Sequence, residues 1–329
     1  MRAFITGSGQ DATYLAKFLL DKGYQVDIGE RRCASDNMWR FRRLGIIDDI
    51  KIIYFDLTDQ GNILRTIIDG KYNEIYNLAA MSFVGLSWDQ PLLTFDVNVR
   101  GTLMLLEAIR TFSPKTKFYQ ASSSEMFGKA QQVPQNENTP FYPRSPYGVS
   151  KLASHWMTIN YRESFKLYAC CGILFNHESP FRGSEFVTKK IIEYFAKWKK
   201  GVKPLLLGNL EARRDWGYAA DYVEAMWMML QQKTPTEYVI ATGETHSIKD
   251  FIEGTVALLN KKIVWKGKGI ETLGYIDDVI AVKCVKKFYR PAEVDHLIGD
   301  FTKARKVLKW KPKTSFKGLI ALMLKNEIT

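Results

Sequence analysis

The first half of the chain alternates short apolar runs with longer runs in which apolar positions recur every three or four residues. Short β-branched runs are typical of buried strands, and the three-to-four repeat is typical of amphipathic helices. Strands that alternate with helices form parallel sheets with right-handed crossovers. The pattern predicts an α/β fold with a doubly wound parallel sheet, which has strands at 2–6, 24–28, 51–55, 74–78 and 117–121 and helices at 11–22 and 102–110.

Past residue 176 the alternation weakens and the loops lengthen, although 215–232 has the pattern of a helix that returns to the first domain. A chain of 329 residues is long enough for two medium domains. We expect a cofactor-binding domain and a smaller, discontinuous α/β domain that binds the substrate, with the substrate between them. The first would span 1–176 plus 213–242, and the second 177–212 plus 243–329.

The composition is that of a soluble enzyme, with 46% apolar and 25% charged residues. The longest apolar stretches are shorter than the roughly 20 residues of a membrane span, so we expect a cytoplasmic protein with no membrane contact. The net charge of +12 comes from dispersed lysines and arginines without a nucleic-acid-binding motif. We therefore expect no nucleic acid partner and a basic surface that suits a diphosphate ligand.

The cysteines and histidines do not indicate a metal site. Four cysteines lack the spacing of metal ligands, and Cys170 and Cys171 lie in an apolar run. His177 and Glu178 lack the second histidine of a zinc-protease helix. We expect buried free thiols and no metal.

The first strand ends in a glycine-rich loop of the form G-x-G-x-x-A, which opens the first helix. Small residues there allow the backbone to approach a pyrophosphate, and the free N–H groups of the helix N-terminus stabilise it. The loop predicts a dinucleotide site of the Rossmann type. Its expected cofactor-binding residues are Gly7, Ser8, Gly9, Gln10 and Asp11, with Asp56 and Leu57 after the third strand and Leu78, Ala79, Ala80 and Ser82 after the fourth.

The residues after the second strand bear on the choice of cofactor. The Glu30 carboxylate can bind a ribose diol, as in NAD sites, whereas Arg31 and Arg32 can pair with the 2′-phosphate of NADP. Two arginines against one carboxylate favour NADP, with NAD as the less favoured alternative. The other interpretation of the two arginines is a surface charge pair.

Tyr147 and Lys151 are four residues apart and share a helix face, so the ammonium group can favour the ionised phenol. An unperturbed tyrosine has a pKa of about 10, which the lysine and a bound nicotinamide cation would together lower. The Ser123 hydroxyl, one connection upstream, can hold a substrate oxygen. The pattern predicts a tyrosine base for redox chemistry.

Together with 77–80, these motifs resemble the extended short-chain dehydrogenases/reductases. Longer blocks resemble the GDP-mannose 4,6-dehydratase family over nearly the whole chain. The blocks lie at 118–122, 140–147, 172–180, 214–217 and 238–246.

This resemblance implies a lyase with Ser123, Glu125, Tyr147 and Lys151 as its catalytic residues. Tyr147 would take the proton of the sugar 4-hydroxyl while hydride passes from C4 to NADP. Glu125 would remove the C5 proton and help the C6 hydroxyl leave as water, after which the hydride returns to C6. The cofactor would stay tightly bound and be recycled. Without the family motifs, Glu125 would be a surface carboxylate.

The resemblance also implies binding residues and an assembly. The cofactor would additionally contact Tyr147, Lys151, His177 and Arg182. The GDP-linked sugar would contact Ser82, Ser123, Glu125, Asn176, Val187, Lys190, Asn209, Arg214, Arg290 and Glu293. An arginine can clasp a diphosphate and a carboxylate can accept from guanine, although Arg290 and Glu293 could instead form a structural salt bridge. A homodimer or homotetramer is expected, with the arginine-bearing loop after the second strand near a neighbour's cofactor. The alternative is a monomer or a simple helix-packed dimer.

The chain departs from the family in its motifs. Its glycine-rich loop is one residue shorter, Ser123 stands where threonine is usual, Phe83 replaces a histidine and Phe181 replaces an arginine. These changes leave open the same dehydration of GDP-D-glycero-D-manno-heptose. A GDP-4-keto-sugar reductase would share the serine, tyrosine and lysine without needing Glu125, and a non-enzymatic cofactor sensor is the third alternative.

Overall fold

A computed structural model describes residues 1–289, 292, 294 and 296–328. Most of its strands belong to a central parallel sheet or to a smaller sheet nearer the C-terminus. The strands are β1 (Arg2–Thr6), β2 (Gln25–Glu30), β3 (Ile50–Tyr54), β4 (Glu74–Asn77), β5 (Lys117–Ser123), β6 (Ala169–Leu174), β7 (Asn176–Glu178), β8 (Leu205–Leu207), β9 (Arg213–Arg214), β10 (Trp216–Tyr218), β11 (Glu237–Ile240), β12 (His246–Ser247), β13 (Val264–Lys266), β14 (Leu273–Ile276) and β15 (Val279–Cys284).

The central sheet has the order β11-β6-β5-β4-β1-β2-β3, and its neighbouring strands are parallel. Chain order reverses between β1 and β4, where Thr6 lies opposite Asn77. At such a reversal the connecting segments leave in opposite directions and open a crevice at the carboxyl ends of the strands. The predicted α/β fold with a doubly wound parallel sheet is confirmed.

Helices cover both faces of this sheet. On one face, α1 and α9 pack together through Leu15, Leu19 and Met226. On the other face, α3 and α6 bury Ile63 and Leu105. The helices are α1 (Gln10–Asp21), α2 (Trp39–Arg43), α3 (Gln60–Gly70), α4 (Leu86–Asp89), α5 (Pro91–Phe95), α6 (Gly101–Phe112), α7 (Pro146–Phe165), α8 (Val187–Ala196), α9 (Ala219–Leu230), α10 (Ile248–Leu258) and α11 (Phe316–Ile328).

A second hydrophobic core lies beyond the central sheet. Here α8, α10 and α11 pack on the sheet β13-β14-β15-β8, in which β13, β14 and β15 are antiparallel. Short pairings connect this part to the strand ends of the central sheet: β10 pairs with β7, and β12 pairs with β9. The chain thereby places residues of both cores around one crevice.

Two sequence predictions are corrected by the structure. The helix expected over 215–232 begins only at Ala219, because Trp216–Tyr218 forms β10 and pairs with β7. Aromatic residues favour such a pleated, half-buried position. Buried thiols were expected throughout, and Cys170, Cys171 and Cys284 are buried, but Cys33 lies exposed in the loop after β2. Among the described residues, no helix combines the length and apolarity needed to cross a membrane.

Candidate active site

A cleft of about 930 Å³ lies at the carboxyl ends of β1, β2, β4 and β5 and extends to residues of the second core. Arg32 does not line it, and Arg290 and Glu293 fall outside the described residues. The remaining predicted site residues meet there: Gly7, Ser8, Gly9, Gln10, Asp11, Arg31, Asp56, Leu57, Leu78, Ala79, Ala80, Ser82, Ser123, Glu125, Tyr147, Lys151, Asn176, His177, Arg182, Val187, Lys190, Asn209 and Arg214.

The glycine-rich loop leaves open space above the start of α1. Gly7 has a φ of +86°, and a Cβ atom there would lie 3.3 Å from the Ala79 Cα atom. Above Gly9, in contrast, nothing lies within 4 Å of the position of a Cβ atom. Gly9 also caps α1 without a side-chain hydrogen bond, so the first N–H groups of the helix remain available. This end of the cleft fits the pyrophosphate of a dinucleotide.

Asp11 and His177 form a half-buried hydrogen-bonded pair beside this loop. His177 Nε2 lies 2.9 Å from Asp11 Oδ2, and His177 Nδ1 lies 2.7 Å from the Phe175 carbonyl oxygen. Burial lowers the pKa of His177, but the attraction of the Asp11 carboxylate outweighs it and the net direction is upward. Burial raises the pKa of Asp11, but His177 outweighs that effect and the net direction is downward. Among the described residues, Asp11 Oδ1 has no hydrogen-bond partner, so it can accept from a ligand.

Tyr147 lies in the first turn of α7, which Pro146 opens and the Ser145 hydroxyl caps by accepting from the Gly148 N–H at 3.0 Å. One turn later, Lys151 Nζ donates to the Ala121 carbonyl oxygen of β5 at 2.9 Å. Tyr147 and Lys151 are both buried against the cleft. The helix therefore delivers both side chains to the end of β5, as the four-residue spacing predicts.

Burial is the largest cause of the pKa shifts of Tyr147 and Lys151. It raises the pKa of Tyr147 to about 12, although the hydrogen bond with Ser123 and the charge of Arg182 act to lower it. Burial also lowers the pKa of Lys151 to about 8. Lys151 Nζ lies 5.9 Å from the centre of the Tyr147 ring and donates to the Ala121 carbonyl oxygen. The joint lowering of the Tyr147 pKa by the lysine and a bound nicotinamide cation stays a prediction.

Ser123 lies between Glu125 and Tyr147. It ends β5, its hydroxyl accepts from the Glu125 N–H at 3.2 Å, and it hydrogen-bonds the side chain of Tyr147. Glu125 is 8% exposed and lies in the single 3₁₀ turn that follows the strand. A hydroxyl, a phenol and a carboxyl group thus converge at one strand end. They can exchange protons with a hydroxyl group of a substrate and with the carbon next to it.

The structure adds residues that the sequence did not single out. Arg40 of α2 lines the cleft although it follows Glu30 by ten residues. Phe186 packs edge-on against Phe83 with ring centroids 5.9 Å apart, and the Arg182 guanidinium lies 3.5 Å from the Phe186 ring centre. The run 40–43 contains three arginines, which was a signal for Arg40, whereas nothing in the sequence marks Phe186.

The parallel sheet, the glycine-rich loop and the Ser-Tyr-Lys arrangement define an extended short-chain dehydrogenase/reductase. A UDP-glucose 4-epimerase from Thermus thermophilus, solved with NAD, has this fold with a TM-score of 0.83 and 23% identity, over 99% of both chains. A dTDP-glucose 4,6-dehydratase from Bacillus anthracis, solved with NAD, has a TM-score of 0.82 and 20% identity, over 99% of this chain and 96% of that one.

The chain belongs to the GDP-mannose 4,6-dehydratase family, whose sequence model matches residues 4–323. The GDP-mannose 4,6 dehydratase of Drosophila melanogaster is 48% identical over 99% of this chain and 86% of the relative. The human protein of the same name is 48% identical over 99% and 91%. A GDP-mannose 4,6-dehydratase of Vibrio cholerae is 46% identical over 99% and 93%.

Proposed function

We propose that this protein is a hydro-lyase that dehydrates GDP-mannose to GDP-4-keto-6-deoxymannose. The observation that carries the proposal is the convergence of Ser123, Glu125 and Tyr147 at the end of β5, in a chain of this family. A reductase would need only the serine, tyrosine and lysine. The buried Glu125 beside them supports a reaction that also moves a carbon-bound proton.

In this proposal Tyr147 and Ser123 act at the sugar C4 hydroxyl. The Ser123 hydroxyl holds the substrate oxygen, and Tyr147 accepts its proton. Because burial raises the pKa of Tyr147, its ionised form depends on nearby cations, and Arg182 acts in that direction. A bound NADP supplies hydride chemistry, since it can accept a hydride from C4 and return it to C6.

Glu125 acts at C5, which is next to C4, and at C6. Once C4 is a ketone, the C5 proton is acidic and the Glu125 carboxylate removes it. The protonated Glu125 then gives its proton to the departing C6 hydroxyl, which leaves as water. At the end C5 takes up one proton, which balances the proton that Tyr147 removed from the 4-hydroxyl. One carboxyl group thus serves first as base and then as acid.

The cofactor and the sugar would occupy opposite ends of the cleft. The loop 7–11 and Arg31 support a dinucleotide, with NADP favoured over NAD by the positive charge after β2. Asn176, Val187, Lys190, Asn209 and Arg214 would hold the GDP-sugar, together with Arg290 and Glu293. In this proposal the part formed by 177–212 and 243–329 is the nucleotide-sugar-binding domain.

A homodimer or homotetramer is part of the proposal. The helices α5 and α7 pack against each other and expose large apolar side chains. Leu92 is 80% exposed and Trp156 is 54% exposed, and Phe95 and Val149 are also exposed. A second copy of the chain would cover such a surface.

The test is to incubate the purified protein with GDP-mannose and no added NADPH, with mass spectrometry following the loss of one water. The proposal expects a 4-keto-6-deoxy product without net change of cofactor. No turnover with GDP-mannose but reduction of a GDP-4-keto sugar with NADPH would indicate the reductase instead. Faster dehydration of GDP-D-glycero-D-manno-heptose than of GDP-mannose would change the substrate and keep the reaction type.

A further inference from the structure

The guanidinium group of Arg182 is held against an aromatic ring in the cleft. Its carbon atom lies 3.5 Å from the centre of the Phe186 ring. A ring face attracts a cation within roughly 6 Å of its centre. Arg182 Nε also lies 3.0 Å from Glu178 Oε2, in a carboxylate side chain that is 2% exposed. The arginine is therefore fixed from two sides, by a buried carboxylate and by a ring.

Phe186 occupies the N-cap position of α8, where its side chain cannot cap the helix. Serine, threonine, asparagine and aspartate are preferred at this position, because their oxygens accept from the first N–H groups. The backbone of Phe186 is nevertheless fixed. Its N–H donates to the Gly183 carbonyl oxygen at 3.1 Å, and its carbonyl oxygen accepts from the Lys190 N–H at 3.0 Å. This phenylalanine gives up a cap and presents a ring in a fixed position.

Phe83 packs on the ring of Phe186 from the loop after β4. The two ring planes meet at 77° with centroids 5.9 Å apart, an edge-to-face arrangement in which aromatic rings attract each other. The loop of Phe83 is itself anchored, since the Met81 N–H donates to Asn98 Oδ1 at 2.9 Å and Asn98 Nδ2 donates to the Ser150 hydroxyl at 2.9 Å. Ser150 lies on α7, so the helix that carries both reactive side chains also supports the ring that packs on Phe186.

The charges around Tyr147 give the contact of Phe186 with Arg182 a chemical consequence. Burial raises the pKa of Tyr147 to about 12, and the Glu125 and Asp11 carboxylates act in the same direction. The hydrogen bond with Ser123 and the charge of Arg182 act to lower it. Further charged or titratable groups lie around Tyr147 and Arg182, namely Lys151, His177 and Glu178. The position of the Arg182 guanidinium therefore matters for the state of the phenol.

We propose that Phe186 is a positioning residue of this site, whose ring face holds the Arg182 guanidinium where it acts on Tyr147 and on the bound cofactor. This inference rests on the proposed function, in which Tyr147 is the base and Arg182 contacts the cofactor. Phe186 acts through Arg182, so the loss of its ring should have little effect once the arginine is absent. A leucine fills much of the same space without a π-face, whereas a tyrosine keeps the face.

The experiment is a double-mutant cycle on Phe186→Leu and Arg182→Met, with Phe186→Tyr as the conservative variant. Phe165→Leu is the matched control, because the Phe165 ring packs on the Arg110 guanidinium at 5.0 Å outside the cleft. Calorimetric titration gives the dissociation constant of NADP, and kinetics give kcat/KM for GDP-mannose as a function of pH. Thermal unfolding shows that each variant is folded.

Phe186→Leu should weaken NADP binding about fivefold. It should also move the acidic limb of the kcat/KM profile to higher pH, because Tyr147 is then harder to ionise. Phe186→Tyr and Phe165→Leu should stay within about twofold of the wild-type protein. In the Arg182→Met background, Phe186→Leu should cause less than about twofold further loss, because the contact that it removes is already gone.

The same loss from Phe186→Leu with and without Arg182 would overturn the inference, because Phe186 would then act as part of the cleft wall. A loss in Phe186→Tyr as large as in Phe186→Leu would overturn it as well, and so would unchanged NADP binding in Phe186→Leu. A wild-type protein that binds NADP without dehydrating GDP-mannose would refute the proposed function. The NADP cycle would still decide whether Phe186 positions Arg182.

Discussion

Lys151 Nζ lies 5.9 Å from the centre of the Tyr147 ring and donates its hydrogen bond to the Ala121 carbonyl oxygen. The lysine is therefore fixed to the end of β5, one helical turn from the phenol. Its influence on Tyr147 in the protein alone is that of a charge at a distance. Burial favours the neutral form of Lys151, because it lowers the pKa of its ammonium group to about 8.

The pH dependence of turnover should report this lysine. Lys151 carries its charge below about pH 8 and loses it above, so kcat/KM should fall as pH rises through about 8 to 9. Lys151→Met should lower kcat by about 100-fold or more and remove this alkaline decline. The measurement is kcat/KM for GDP-mannose between pH 6 and 10 for both proteins. A wild-type profile that stays flat to pH 10 would count against a titrating Lys151.

Glu125→Gln should stop the loss of water. The amide keeps the size of the side chain and cannot remove a proton, so dehydration should slow by about 100- to 10,000-fold. Cofactor affinity should remain near the wild-type value. Mass spectrometry of the product in deuterated water follows the loss of water and the exchange of the C5 proton, which require the same base, and a cofactor titration measures the affinity. As a control, Glu244→Gln removes an exposed carboxylate outside the cleft and should leave the rate unchanged.

The hydroxyl of Ser123, and not the size of the residue, should matter for turnover. Ser123→Ala removes the group that links Tyr147 with the Glu125 backbone, and kcat/KM should fall about 10- to 100-fold, as expected for a hydrogen bond to a charged group. Ser123→Thr keeps the hydroxyl and should remain within about threefold of wild type. Equal rates for the alanine and threonine variants would show that this hydrogen bond is dispensable.

Much of this site could be predicted because its signals are local. Tyr147 and Lys151 lie within one helix, and the loop 7–11 lies where β1 passes into α1, so short sequence patterns encode their geometry. The environment of Tyr147 could not be predicted, because its raised pKa comes from burial that the folded chain creates.

The position of Arg40 shows the same limit in another form. Its anchor is the carbonyl of Phe181, which lies 141 residues further along the chain. Phe186 likewise reaches Phe83 across the cleft, 103 residues away in sequence. A helix of five residues with three arginines gives no indication of which one lines the cleft. Only tertiary packing selects Arg40.

Alanine substitutions at the two glycines of the cofactor loop should have different effects, one on protein stability and the other on cofactor binding. Gly7→Ala forces a Cβ atom into a left-handed conformation, with φ of +86°, and should lower the free energy of unfolding by about 1 kcal/mol or more. Gly9→Ala meets nothing within 4 Å and should change it by less than about 1 kcal/mol. It should nevertheless weaken NADP binding about tenfold or more, because its methyl group enters the space above α1. Thermal unfolding and cofactor titration of both variants test this difference between Gly7 and Gly9. Equal cofactor affinities of Gly9→Ala and the wild-type protein would contradict the prediction.

His155 should make the fold sensitive to mild acid. Its Nδ1 lies 2.9 Å from the Ser122 hydroxyl, and burial lowers its pKa to about 4. The unfolded chain then binds this proton at a higher pH than the folded protein does. The free energy of unfolding should therefore fall between about pH 6.5 and 4, by up to about 3 kcal/mol.

His155→Gln keeps a hydrogen-bonding group for Ser122 and removes the titration, so its stability should fall less over this interval. The comparison between variants is necessary because Asp215, whose pKa burial raises to about 6, acts in the opposite direction as pH falls. Urea unfolding of both proteins at pH 6.5, 5.5 and 4.5 gives the difference directly, and Asp215 contributes equally to each. Parallel curves for wild type and His155→Gln would show that His155 does not control the acid sensitivity.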